Sequence, residues 1–325
     1  MPLTLRLGLL STARINEAIL EAADGTESVE VVAVASRERE RAEAYAREHG
    51  LARGHASYDE LLADADVDAI YNPLPNSMHV SWSIRALEAG KHVLCEKPLD
   101  RRPGEVERVF DLAESLGLVF AEAFMWRHHP QTARVAELVR DGAIGRLRAV
   151  RAVFAFRLDD PANIRMRPEL DGGALMDLGC YCVSGARLLA GEPERCSGEQ
   201  ILAETGVDAA FHGTLRFPDD VVAQLDASFL APFVQRLEAI GEEGVVEVGA
   251  PWLQSRVGDV LLHRDEKVER VAVPTANAYG RELEDFAAAV RGEGEPLLGR
   301  SDALGQARAI DALYRAAEEG RTVAL

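Results

Sequence analysis

Two periodicities divide the chain. Residues 3–10 (LTLRLGLL) form a short apolar run, followed by Ser-Thr-Ala and then by Ile15, Ala18, Ile19 and Ala22 on one helical face. This predicts strand, tight turn and helix. The β-branched run 29–35 (VEVVAVA) predicts a second strand, and the charged segment after it carries Ala42, Tyr45 and Ala46 as an inward stripe. Further alternation follows, with helices over 58–63, 80–89 and 104–115 and strands over 67–71, 92–95 and 117–121. Near-continuous apolar strands separated by amphipathic helices predict a doubly wound parallel sheet of the α/β class.

After residue 122 the pattern changes. Residues 147–157 alternate apolar and polar, 173–190 predict a helix, and strand-like runs recur at 208–216, 221–229, 236–241, 245–248, 260–263 and 268–273. Turn signals such as Pro218-Asp219-Asp220 separate them, which predicts a largely antiparallel open sheet. Helices over 281–291 and 302–319 close the chain. The expected organisation is a dinucleotide-binding domain over 1–122 and an α+β substrate-binding and oligomerisation domain over 123–325.

Composition narrows the function. The 325 residues include 54 acidic and 36 basic side chains, a net charge of −18 that repels phosphodiester backbones and anionic membranes. Nucleic acid and membrane are therefore not expected partners. No run approaches the ~20 apolar residues of a membrane span, and no secretion signal opens the chain, so a cytoplasmic protein is expected. Cys180 and Cys182 have no matching pair at metal-site spacing, so no metal is expected. The basic side chains include only three lysines, Lys91, Lys97 and Lys267.

The chemistry is read from strand ends. A dinucleotide pyrophosphate binds at the first turn of such a sheet, on helix amides exposed by glycines. Here Ser11, Ala13 and Asn16 stand at the glycine positions. The second strand ends in Ser36-Arg37, where an acid would serve the ribose of NAD. A hydroxyl and a guanidinium suit a 2′-phosphate, so NADP is favoured over NAD; solvation of a helix start by Arg37, Arg39 and Arg41 is the competing reading. Asn72-Pro73-Leu74-Pro75-Asn76 leaves one strand at its carboxyl end and Glu96-Lys97-Pro98 leaves the next. Farther on, Asp177 and Tyr181 stand four apart in Gly172–Tyr181, one turn from each other if the run is α-helical.

Taken in order, the turn at 8–15, PLPNSMH at 73–79, Glu96-Lys97-Pro98, FMWRHHPQ at 124–131 and GGALMDLGCY at 172–181 resemble the Gfo/Idh/MocA family of pyridine-nucleotide oxidoreductases over nearly the whole chain. The resemblance implies an N-terminal Rossmann domain, and a C-terminal domain whose open sheet forms homodimers or homotetramers. It implies cofactor contacts from Gly8, Ser11, Thr12, Ala13, Arg14, Ile15, Ser36, Arg37, Asn72, Pro73, Leu74, Asn76, His79, Glu96 and Lys97. Lys97 and Asp177 match the family's lysine and aspartate, while Tyr181 stands where many members carry histidine. That departure, with Asn163-Ile164-Arg165 upstream, is similar to the branch of NADP-dependent D-xylose and glucose dehydrogenases and dihydrodiol dehydrogenase. The implied activity is hydride transfer between a cyclic sugar hydroxyl and NADP. Tyr181 would serve as base, Lys97 as the cation favouring its phenolate and Asp177 as an orienter. Trp126, Arg127, Asn163, Arg165 and Tyr279 are the expected substrate contacts. The alternatives are a trans-dihydrodiol dehydrogenase and a non-catalytic NADP-binding sensor or repressor.

Overall fold

The computed structural model describes residues 4–253 and 259–325; the first residue of the predicted 3–10 strand lies outside them. The chain forms two compact units, one comprising Met1–His128 and Asn277–Leu304, the other His129–Ala276 and Gly305–Leu325. The segment Asn277–Leu304, which the pattern assigned with everything after residue 122, thus belongs with the first unit.

The first unit begins with β1 (Leu5–Leu9), α1 (Asn16–Asp24), β2 (Val29–Ala35), α2 (Arg39–Glu48), β3 (Arg53–His55) and α3 (Tyr58–Leu62). It continues through β4 (Ala69–Asn72), α4 (His79–Glu88), β5 (His92–Glu96), α5 (Pro103–Leu116) and β6 (Phe120–Ala123). All six strands are parallel in the order β3-β2-β1-β4-β5-β6. That is the doubly wound order, with its switch point between β1 and β4, where such sheets take their ligand. Local chemistry sets the boundaries. Ser57 caps α3 by accepting from the Glu60 amide, and Glu60 reaches back to the Ala56 amide. Proline opens α5, and Gly117 ends it at φ 67°. The core joins β1, β2 and β4 to Leu283, Phe286 and Ala287 from a later helix, which is why that helix clusters with this unit.

The second unit contains α6 (Pro130–Arg140), β7 (Leu147–Ala155), α7 (Cys180–Ala190), β8 (Arg195–Leu202), β9 (Asp208–Arg216), β10 (Val222–Ser228), β11 (Val234–Gly241) and β12 (Gly244–Val248). After these come β13 (Val260–Arg264), β14 (Lys267–Val271), α8 (Ala278–Val290) of the first unit, α9 (Arg300–Glu319) and β15 (Val323–Ala324). The nine strands form one sheet in the order β14-β13-β12-β11-β7-β10-β9-β8-β15. Every pairing is antiparallel except β7 with β10. Ala152, Phe154, Leu225, Ala227 and Leu237 are buried, whereas Arg151, Gln224, Asp226, His212 and Arg236 are exposed, the alternation expected of a sheet covered on one face. Among the described residues no helix is long and apolar enough to cross a membrane.

Candidate active site

In the first unit the turn after β1 achieves without glycine what glycine usually permits. Ser11 has φ 152°, in a region that side chains disfavour. Asn16 holds the turn by donating from Nδ2 to the Ser11 carbonyl at 2.7 Å. The amides of Thr12, Ala13, Arg14 and Ile15, just before α1, have no hydrogen-bond acceptor among the described residues. Ser11 Oγ and Asn16 Oδ1 are likewise buried without a partner there. Unsatisfied amides at a helix N-terminus, with the Ser11 hydroxyl as a further donor beside them, fit a dinucleotide pyrophosphate. Ile15 itself packs against the core, as does Tyr279 on α8.

Beyond β2, Ser36 is buried and Arg37 is exposed, with no hydrogen bond or ion pair to another described residue. Arg41, for which solvation of a helix start was the competing reading, donates from Nε to Thr12 Oγ1 at 2.7 Å and ties α2 to the turn after β1. Burial raises the pKa of the nearby Tyr58 phenol, while the charges of Arg37 and Arg41 pull it back. Two guanidinium groups and the Ser36 hydroxyl at this strand end, with no acid on the last residue of β2 or the two that follow, fit a 2′-phosphate.

The loops after β4 and β5 are joined by one buried ring. His79, 1% exposed, places Nδ1 2.9 Å from the Pro98 carbonyl and Nε2 2.7 Å from the Leu74 carbonyl. Burial pushes this imidazole below its ordinary pKa, while the two carbonyls pull it back. His79 was expected to touch cofactor; in the fold its ring lies between the Pro98 and Leu74 carbonyls and links the Pro73–Asn76 and Lys97–Pro98 loops. Asn72, also an expected cofactor contact, is bonded within the same loop. It is fully buried, donating to the His79 carbonyl and Ser83 Oγ and accepting from the Leu74 amide. Gly8 also has a packing role, since a Cβ there would lie 3.0 Å from Leu61 and Val67. Pro73, Asn76 and Lys97 are half-buried and Leu74 is buried. Glu96 accepts from the Tyr71 hydroxyl at 2.6 Å and from the Lys97 amide at 3.2 Å, so its carboxylate shapes the strand end that presents Lys97.

Two expected substrate contacts are built into the first unit. Trp126 is 1% exposed and edge-on to Phe124, which makes it a packing residue. Arg127 donates to Asp302 at 3.2 Å.

In the second unit the predicted helix over 173–190 opens differently. Leu175–Gly179 is a π-helical turn leading into α7, so the Cys180 amide reaches back to the Leu175 carbonyl. The wider turn changes the angle between Asp177 and Tyr181 from the α-helical one assumed from their spacing; such turns occur frequently at functional sites. Arg165 donates from Nε to Asp177 Oδ2 at 2.6 Å, and Asn163 accepts from the Arg165 amide at 3.1 Å, which fixes the loop carrying both. The Tyr181 ring is 5% exposed, edge-on to Phe154 and tilted against Trp252. Asp177, Arg165, Asn163 and Tyr181 are therefore organised by one loop and one helix start.

A family model described as "Oxidoreductase family, NAD-binding Rossmann fold" matches residues 7–124, and one described as "GFO/IDH/MocA C-terminal domain" matches 132–247. The chain belongs to the GFO/IDH/MocA oxidoreductase family. The resemblance drawn from its motifs is thereby borne out, as is the expected fold class. D-xylose 1-dehydrogenase (NADP(+)) 2 of Haloferax volcanii is 38% identical over 323 residues, covering 98% of this chain and 99% of that one. Trans-1,2-dihydrobenzene-1,2-diol dehydrogenase of Xenopus tropicalis is 31% identical over 245 residues, 74% of each chain. The crystal structure of KijD10, a 3-ketoreductase from Actinomadura kijaniata in complex with NADP and TDP-benzene, superposes with a TM-score of 0.91 at 31% identity, covering 97% of this chain and 98% of that one.

Proposed function

We propose that this oxidoreductase transfers hydride between a hydroxyl-bearing carbon of a cyclic sugar and NADP. Arg37 carries the cofactor part of this reading: an exposed guanidinium without a partner among the described residues, at the strand end where an NAD enzyme places an acid. The NADP-dependent D-xylose dehydrogenase, similar over nearly the whole chain, supports the sugar.

The amides of residues 12–15 would hold the pyrophosphate, and Ser36 and Arg37 the 2′-phosphate. NADP held there would supply the hydride acceptor. The chain supplies the rest. As the C–H bond electrons leave the carbinol carbon, the O–H proton must leave too, because a carbonyl that keeps it is a high-energy cation. Tyr181 takes that proton, Lys97 hydrogen-bonds the reacting oxygen and stabilises its developing negative charge, and Asp177 accepts from a second substrate hydroxyl with Arg165 fixing its direction. The proton then passes to solvent, so oxidation releases one proton per turnover. Incubation with NADP or NAD and a panel of aldoses, followed by absorbance of the reduced cofactor, tests the proposal; no reduction with any aldose rejects it.

Similarity to the Xenopus enzyme favours trans-dihydrodiols as the second substrate class to include in the panel. A purely sensing role has no use for Lys97, Asp177 and Tyr181 together. We also infer that copies associate through the uncovered face of the nine-stranded sheet, the face that exposes Arg151, His212, Gln224 and Asp226.

A further inference from the structure

The π-helical turn that carries Asp177 starts on a buried carboxylate from another part of the second unit. Asp208, the first residue of β9, is 3% exposed, and its Oδ2 accepts from the Leu175 amide at 2.6 Å. Its Oδ1 accepts from the hydroxyl of Tyr314 on α9, itself 7% exposed, at 2.9 Å. The chain reaches this contact through Gly173 at φ 126°, where a Cβ would collide with Asp208 Oδ1 and lie 3.1 Å from the Tyr314 hydroxyl. No other residue type fits there. The Phe211 ring lies edge-on to Tyr314.

A helix start has unsatisfied amides, and an anion beside them is favoured by both hydrogen bonding and the helix dipole. A buried carboxylate left with one donor fewer is costly, so this contact resists sliding. Sliding matters because each helical residue turns its side chain by about 100°. A turn that lost its extra residue would swing Asp177, two positions after the anchored amide, away from Arg165, and would change the direction of Tyr181 four positions later.

We propose that Asp208, held by Tyr314, is a positioning residue that fixes the register of the Leu175–Gly179 turn and thereby aims the Asp177 carboxylate and the Tyr181 phenol. The proposal rests on the reading that these two groups act on substrate.

The test uses the full chain with Tyr314→Phe and Asp208→Asn, beside Tyr181→Phe as reference, with D-xylose and NADP as probes. Tyr314→Phe removes one hydroxyl and preserves packing, so it decides the matter if Asp208→Asn does not fold. In Tyr314→Phe, turnover is expected to fall about ten- to a hundredfold, the loss that a displacement of about 1 Å produces. The NADP dissociation constant stays within about twofold, because the loss is confined to orientation rather than uniform binding. Amide exchange measured by mass spectrometry should accelerate in the peptide spanning 173–181 and stay unchanged in β1 and β2. Unchanged exchange over 173–181 overturns the proposal whatever the turnover. Accelerated exchange with turnover still normal, while Tyr181→Phe is inactive, also overturns it and leaves the catalytic reading intact. Normal turnover in Tyr181→Phe overturns the catalytic reading on which the proposal depends.

Discussion

Arg165 Nε and Asp177 Oδ2 meet at 2.6 Å, a charge-assisted hydrogen bond between a loop residue and the first acidic side chain of the π-helical turn. The guanidinium is 40% exposed and the carboxylate 16%, so solvent screens much of the attraction and the pair contributes about 1 kcal/mol. Arg165→Ala is therefore expected to raise KM for the sugar about fivefold, with NADP affinity unchanged. Fluorescence titration with NADP and initial rates against sugar separate the two; a matching loss of cofactor affinity contradicts the assignment.

Removing the phenolic hydroxyl in Tyr181→Phe leaves a ring that still packs against Phe154 and Trp252. General acid–base catalysis contributes about 10²–10⁴-fold, and turnover should fall by that factor while the melting temperature and NADP binding hold. Wild-type turnover in this variant removes Tyr181 from the mechanism.

Arg37 separates the two cofactors. A hydrogen bond to a charged group contributes about 1.5–3 kcal/mol, so Arg37→Ala should weaken NADP about ten- to a hundredfold and NAD scarcely at all. Dissociation constants for both cofactors, measured at one ionic strength, check this. Equal weakening counts against a 2′-phosphate contact.

Glu282 on α8 offers a test of stability against pH. It is 1% exposed, and burial, together with the charges of Glu96 and Asp285, holds its carboxyl well above the ordinary range. A raised value means that the folded protein keeps a proton the unfolded chain gives up. The stability associated with that proton is complete below about pH 4.5, the ordinary value, and is lost as pH rises toward the folded one. Glu282→Gln mimics the protonated form at every pH. The substitution should raise the melting temperature at pH 7 by about 2–4 °C, the shift that ~1 kcal/mol produces in a domain of this size, with the gain vanishing near pH 4. A gain that persists at pH 4, or a loss at pH 7, refutes the argument.

The elements legible in the sequence were those whose burial has a period. Val29–Ala35 is the second strand to the residue, because a strand largely covered on both faces is nearly continuous in apolar residues, with Glu30 the one exposed position. Arg53–His55 was illegible for the opposite reason: a three-residue edge strand of Arg, Gly and His has no apolar side chain. β8 (RCSGEQIL) is mostly polar and was missed as well. α6 gives a weak periodic signal because two of its four buried residues, Gln131 and Thr132, are polar, leaving only Val135 and Leu138 as apolar markers. In the site, residue types were informative and directions were not. His79 and Asn72 stand in the loops where a cofactor is expected, but only the fold shows them bonded to the loop backbones. The Asp177–Tyr181 spacing suggested one helical face, and no sequence signal announced the wider turn.

Ser11 bears on how such enzymes are recognised and altered. Its backbone angle is one that glycine would adopt more freely, so replacing Ser11 by Gly should relax the backbone and, at the same time, give the unfolded chain more freedom to lose. The two effects oppose each other. A search keyed to glycine letters passes over this bend, whereas one keyed to torsion angles finds it, and redesign of the turn after β1 can treat the serine side chain as a handle that glycine lacks.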